Sequence, residues 1–169
     1  AALATAGVAA VPIGATAATQ AGEPGPATSR TALIAGEQSA AASTAKTLGL
    51  ASGEQLQVKD VIRDANGTTH VRYNRTYDGL RVVGGDLVVH QAKNGAHSVT
   101  KATNARISVA STSATLAPSA AKKSALRAAA AGKDTKTDAS GTPRKVIWAA
   151  TGKPVLAYET VVTGVQKDG

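Results

Sequence analysis

Between Thr69 and His90 apolar and polar positions alternate with a period of two. Val71, Tyr73, Arg75 and Tyr77 share one phase and Arg72, Asn74 and Thr76 the other, as in a strand with one buried face. Asp78-Gly79 follows, a pair that tolerates positive φ and suits a tight hairpin. Leu80, Val82 and then Leu87, Val88 and Val89 resume the β-rich pattern. Gly84-Gly85 interrupts this second run, which predicts a bulge or kink there. Asn94-Gly95 signals another hairpin turn, and Ser98–Thr103 the next strand.

On the N-terminal side, Leu33, Ile34, Ala41, Ala45 and Leu48 recur at helical spacing within Ser29–Leu48, and Gly49 stands where a helix commonly stops. Leu56, Val58 and Val61-Ile62 predict a strand, and Asp64-Ala65-Asn66-Gly67 a turn into Thr69. One helix followed by an antiparallel meander is an α+β arrangement in which the helix covers the apolar face of the sheet. The order then repeats. After a Ser/Thr/Ala-rich linker, 108–115, Pro118-Ser119 opens a second helix over Ala120–Ala131 with Ser119 as its N-cap and Gly132 as its stop. Lys133–Gly141 reads as a polar loop, and Lys145–Ala149 and Pro154–Val165 as two strands joined at Thr151-Gly152. Lys167-Asp168-Gly169 is a further turn signal, so the second unit is expected to be incomplete. The fold class is therefore α+β, with two small helix-plus-antiparallel-sheet units in tandem.

Composition limits what can be buried. The 169 residues are 43% hydrophobic, but alanine inflates the figure; there is no Phe, Met or Cys, one Trp and three Tyr. The core must come from Val, Leu and Ile, so a domain this small is expected to be marginally stable alone. Tyr73 and Tyr77, four apart on one face, read as core, and Trp148 is expected to pack against the second helix. Without cysteine, disulfides and thiolate metal sites are excluded. Residues 1–21 form a small-residue apolar run with Ala-x-Ala patterns at Ala15-Thr16-Ala17 and Thr19-Gln20-Ala21, resembling a secretory h-region and cleavage site, and 22–28 is a turn-rich linker. The run is too rich in Ala, Gly and Thr for a strong membrane span. An exported protein, off the membrane once the signal is cleaved, is the expectation.

Catalytic chemistry is missing from the pattern. There is no His-Glu-x-x-His, and His70, His90 and His97 lie on or beside predicted strands without metal-ligand spacing. The carboxylates form no acid/base pair by local pattern, and no nucleophile elbow occurs. Nineteen Lys+Arg against eleven Asp+Glu give +8, carried by Arg72, Arg75 and Arg81 in the first unit and Lys122, Lys123, Arg127, Arg144 and Lys145 in the second. Such a surface suits an acidic protein partner or a polyanion. Nucleic acid is disfavoured, because interleaved aromatics and helix-turn-helix or RNP-like patterns are lacking.

The stretch Val71–His90 resembles the core of the fungalysin/thermolysin propeptide (FTP) domain, the pro-region of secreted thermolysin-like zinc metalloproteases. The matching positions are Arg72, Tyr73, Thr76, Tyr77, Gly79, Val82, Gly84, Gly85, Leu87, Val89 and His90. Departures are Arg75 where many members carry Gln, Arg81 where Pro is usual and Val83 where Phe is frequent. The likeness extends over about residues 30–107, and 116–169 resembles the first part of a PepSY domain, the module that follows in those proteases. It implies two cystatin-like units, FTP-like over 29–107 and PepSY-like over 116–169. Arg72, Tyr73, Tyr77, Gly79, Gly84, Gly85 and His90 are the motif positions that would serve structure or protease contact. It further implies a non-catalytic chain without cofactor, zinc and calcium belonging to a catalytic domain outside it. The partner would be the cognate protease domain in cis, which the chain would help to fold and hold inactive. A freestanding secreted inhibitor or a basic surface-binding protein on the same modules is the alternative.

Overall fold

Ser29 caps the first helix, α1 (Arg30–Thr47): its hydroxyl accepts the amide of Ala32 at 3.2 Å. At the other end Gly49 takes φ +64, its N–H donates to Lys46 O at 3.0 Å, and Leu50 N–H donates to Ala45 O at 3.1 Å. That is a Schellman ending, which turns Leu50 back onto the helix and delivers the chain to the sheet. The computed structural model describes residues 29–132 and 134–166. The expected signal remnant and linker, 1–28, and the final turn at Lys167-Asp168-Gly169 lie outside the described residues.

Five strands follow α1: β1 (Glu54–Arg63), β2 (Thr69–Tyr77), β3 (Leu80–Val83), β4 (Leu87–Gln91) and β5 (His97–Lys101). After them come α2 (Pro118–Ala131), β6 (Asp134–Trp148) and β7 (Val155–Gln166). The fold is α+β. The strands form one mixed sheet in the order β5-β4-β2-β3-β6-β7, with β1 on the remaining edge of β2. Asp78 and Gly79 have φ +47 and +78, the positive pair of a type I′ turn, and join β2 to β3. The two wider hairpins turn at Gly67 and Gly95, whose amides donate to Asp64 O and Ala92 O at 2.9 Å.

The predicted kink at Gly84-Gly85 is a full change of partner. Thr76 faces Arg81 and Tyr77 faces Leu80, but from Tyr73 downward β2 pairs with β4, Tyr73 facing Leu87. Between these ladders Val82 and Val83 leave β2 and pair in parallel with Ile147 and Trp148 of β6. This joins the chain's two halves into a continuous sheet, with Ala149 N–H donating to Val83 O at 2.9 Å.

Two apolar clusters result. Ala41 of α1, with Leu33, Ile34 and Ala45 beside it, covers Leu56, Val61, Val71, Tyr73, Leu87 and Val89. The second cluster is Val82, Ile107, Ile147 and Ala149, flanked by Tyr77, Leu80, Val109 and Leu156. Ile107 and Val109 belong to the connection between the halves, so that connection supplies core residues.

Three expectations are corrected in the second half. The N-cap of α2 is Ala117, with no side-chain cap, and Pro118 starts the helix. A residue before proline is driven to extended backbone, as Ala117 is at φ −70 and ψ 145, so the cap falls before Ser119. Lys133–Gly141 is a strand from Asp134 onward, paired with β7 through Asp138↔Thr163 and Ser140↔Val161. Lys136, Asp138 and Ser140 are exposed there while Thr135 and Thr137 are half-buried and Ala139 is buried, so the covered positions carry small or polar residues that a hydropathy reading misses. Trp148 borders α2 at Ala125 yet stays 41% exposed, so it only partly packs there.

Candidate functional site

Strand β2 divides the motif residues between its two faces. Facing α1 are Val71, Tyr73 and Arg75; facing away are His70, Arg72 and Asn74. Tyr73 is fully buried, and among the described residues its hydroxyl has no hydrogen-bond partner. Burial pushes its phenol up from the ordinary value. Tyr77, expected to share one core with Tyr73, lies half-buried against the second cluster.

Arg75 does not contribute to a basic surface. It is 3% exposed, and its guanidinium is bound through Nε and Nη2 to Glu54 of β1, Nε at 3.0 Å from Oε2. The other Glu54 oxygen accepts the Ala51 amide at 3.2 Å. Other arginines of the expected basic patch are also matched. Arg72 lies 3.4 Å from Asp86, and Arg144 and Arg81 reach Glu159 at 2.6 and 3.6 Å. Hydrogen bonding from Arg144 holds the Glu159 carboxyl below its usual value.

The glycines have separate duties. A Cβ on Gly84, where φ is +76, would sit 2.6 Å from Ala150 Cα; one on Gly85 would sit 2.5 Å from Val82 Cγ1. The pair permits the β3–β6 junction. At Gly79 a Cβ would meet open space, so only its positive φ matters.

The open face carries one cluster of chemistry. His70 and His90 face each other across β2 and β4, with Nδ1 atoms 2.7 Å apart. His70 Nε2 is 2.9 Å from Asp64 Oδ2 in the β1–β2 turn, and His90 Nε2 is 3.0 Å from Thr100 Oγ1 on β5. With neutral rings the tautomers follow in order. The Asp64 carboxylate only accepts, so His70 donates from Nε2 and accepts at Nδ1; His90 then donates from Nδ1 and accepts the Thr100 hydroxyl at Nε2. His97 faces Gln91 instead and stays out of the network.

The sequence placed all three histidines on or beside strands but not this adjacency. Continuing the hairpin register would set His70 against Leu87; the excursion at 84–86 advances it by three and brings His90 opposite. The cluster does not fit zinc. Each Nδ1 is occupied by the other ring, Asp64 lies on the far side of the His70 ring, and among the described residues no group of three or more His, Asp or Glu is placed to hold a metal. Among the described residues no helix is long and apolar enough to cross a membrane.

With the geometry in place, comparison with known proteins locates the chain. Residues 54–102 match the Fungalysin/Thermolysin Propeptide Motif, the span running from the start of β1 to just past β5. The chain is also 56% identical over 141 residues to the transglutaminase-activating metalloprotease of Streptomyces mobaraensis. That alignment takes in 83% of this chain but 19% of the relative, so the chain spans about a fifth of the protein it matches.

Proposed function

Proceeding from a chain that carries the Fungalysin/Thermolysin Propeptide Motif, we propose that it is the pro-region of a secreted zinc metalloprotease precursor. It acts there as an intramolecular chaperone and inhibitor of the catalytic domain. The observation that carries this reading is the coincidence of the motif with the complete β1–β5 meander, whose α1 face is closed by the chain's own core. Residues 29–107 form the FTP unit and 116–169 a PepSY-like unit, with β3–β6 pairing between them. Within the motif, Tyr73, Tyr77, Gly79, Gly84 and Gly85 serve the architecture, while Arg72 and His90 lie on the open face available to a partner.

The physical logic is kinetic. A protease whose native state is separated from its unfolded chain by a high barrier gains from a partner that binds the forming fold. Tethering supplies a high effective concentration, so modest affinity suffices until the linker is cut. A pro-region this poor in large apolar side chains is then unfolded and digested. Zinc, and calcium, would belong to the catalytic domain. The polyanion reading is weakened because Arg75 is buried against Glu54 and Arg72, Arg81 and Arg144 are matched by carboxylates.

Reading the coding frame beyond Gly169 tests the assignment. Continuation into a His-Glu-x-x-His segment with a downstream Glu is expected. A stop codon before any such segment overturns it in favour of a freestanding binding protein.

A further inference from the structure

We infer that the His70–His90 pair is a proton-counting clasp: it holds β2 to β4 while it carries at most one extra proton and opens when a second one binds. The reason is geometric. The gap of 2.7 Å between the two Nδ1 atoms has room for one hydrogen. In the neutral network that hydrogen sits on His90 and points at His70. A first added proton goes to His90 Nε2; the Thr100 hydroxyl turns to accept it, and the N–H···N bond survives. A second proton must sit on His70 Nδ1, the only ring nitrogen still free. Two N–H groups would then meet head-on, each ring bearing a full charge, and the rings must part.

The surroundings compensate one charge at the pair and not two. Asp64, from the β1–β2 turn, is bonded to His70 and offsets the first proton. Charged groups on this face include Arg72 on β2, Asp60 on β1 and Asp86 ahead of β4, and Lys93 of the β4–β5 turn lies against Gly67 in the turn that holds Asp64. Asp86 is engaged by Arg72, and Asp60 by Arg30 at 2.8 Å, so neither carboxylate is free to offset a second charge on the pair. From β5 the pair meets Ser98 and Thr100, both neutral, and α1 lies on the opposite face. Parting the rings loads the short β2–β4 ladder of five facing pairs, in which His70↔His90 stands second from the end next to the β1–β2 turn.

The clasp makes the stability of the chain sensitive to acidification. For a pro-region, a reading that rests on the proposed function, acidification would loosen the meander and hasten release; the clasp itself stands or falls without any protease.

The test uses the 169-residue chain. Its folded fraction is followed by urea titration at steps from pH 7.5 to 5, with ¹⁵N-imidazole spectra recorded in parallel, for wild type and His90→Gln. Glutamine can turn either its NH₂ or its carbonyl toward His70 Nδ1, so it satisfies both protonation states of His70 and removes the clash. The wild-type folded-to-unfolded ratio is expected to fall by up to tenfold per pH unit at the acid end, the unfolded chain binding one more proton than the folded. His90→Gln is expected to flatten that fall, and the wild-type spectra to show an Nδ1-protonated His90 and an Nε2-protonated His70 at pH 7.5. Should His90→Gln fail to fold, His70→Gln, which keeps a donor for Asp64, takes its place. Parallel pH dependence in wild type and variant, or no pH dependence in wild type, overturns the inference.

Discussion

Arg75 and Glu54 form an ion pair in the interior, with side chains 3% and 1% exposed, across adjacent strands of the sheet. Two buried charges are retained only while each has its partner, because desolvation of either alone costs several kcal/mol. Arg75→Ala or Glu54→Ala should therefore destabilise the chain by about 3–5 kcal/mol in urea titration. Replacing both together, Glu54→Gln with Arg75→Gln, should recover most of that loss. A loss in the double variant equal to the sum of the two single losses would show that the pair is not coupled.

The glycine junction separates conformational from steric demand. Gly79→Ala meets open space and pays only for positive φ, about 1 kcal/mol. Gly84→Ala pays the same and drives its Cβ into the Ala150 backbone, so a loss of more than about 2 kcal/mol is expected. Amide exchange at Ala149, whose N–H donates to Val83 O, should accelerate in the Gly84 variant and not in the Gly79 variant.

These two positions also show what could be read from the sequence alone. Asp78-Gly79 announced its hairpin because the local conformation is fixed by the residues themselves. Gly84-Gly85 announced an irregularity but not its purpose, since the partner, β6, lies more than sixty residues away and the pairing is parallel. Arg75 was placed on the correct face by alternation, yet its charge suggested surface; only the fold reveals Glu54 as its partner. Ser119 misled because a serine cap signal was outranked by the backbone restriction that Pro118 imposes on Ala117. Polar content concealed the first half of β6, where the covered positions carry small or polar residues. The histidine pair was illegible because a three-residue register change creates it.

Among the described residues the buried Tyr73 hydroxyl has no hydrogen-bond partner. Tyr73→Phe is expected to be neutral or stabilising by up to about 1 kcal/mol, because the desolvated group is removed and the ring keeps its packing. The phenol is shifted upward, so its contribution is present below the unfolded value near 10 and lost as pH rises through the higher folded value. Alkaline unfolding above about pH 10 should therefore be less steep in Tyr73→Phe. A large loss of stability at pH 7 would instead mean that the hydroxyl is bonded.

Glu159 ties β7 to Arg144 of β6 and Arg81 of β3. Its carboxyl is held low, chiefly by the Arg144 hydrogen bond, so it contributes above the unfolded carboxylate value and loses that contribution as pH falls through the folded one. The acid limb below about pH 4.5 should flatten in Glu159→Gln, and added salt should flatten it in the wild type, as expected for a pair open to solvent. An unchanged acid limb would remove this bridge from the account.

The most direct measurement is recovery of protease activity on refolding. The catalytic domain that the proposed function places downstream in the reading frame is diluted from denaturant with zinc and calcium, with and without the 169-residue chain, and active enzyme is counted after the chain has been digested away. The account predicts a yield at least tenfold higher with the chain present, preceded by a phase in which activity is suppressed. Equal yields, with no suppression at any chain concentration, would contradict it.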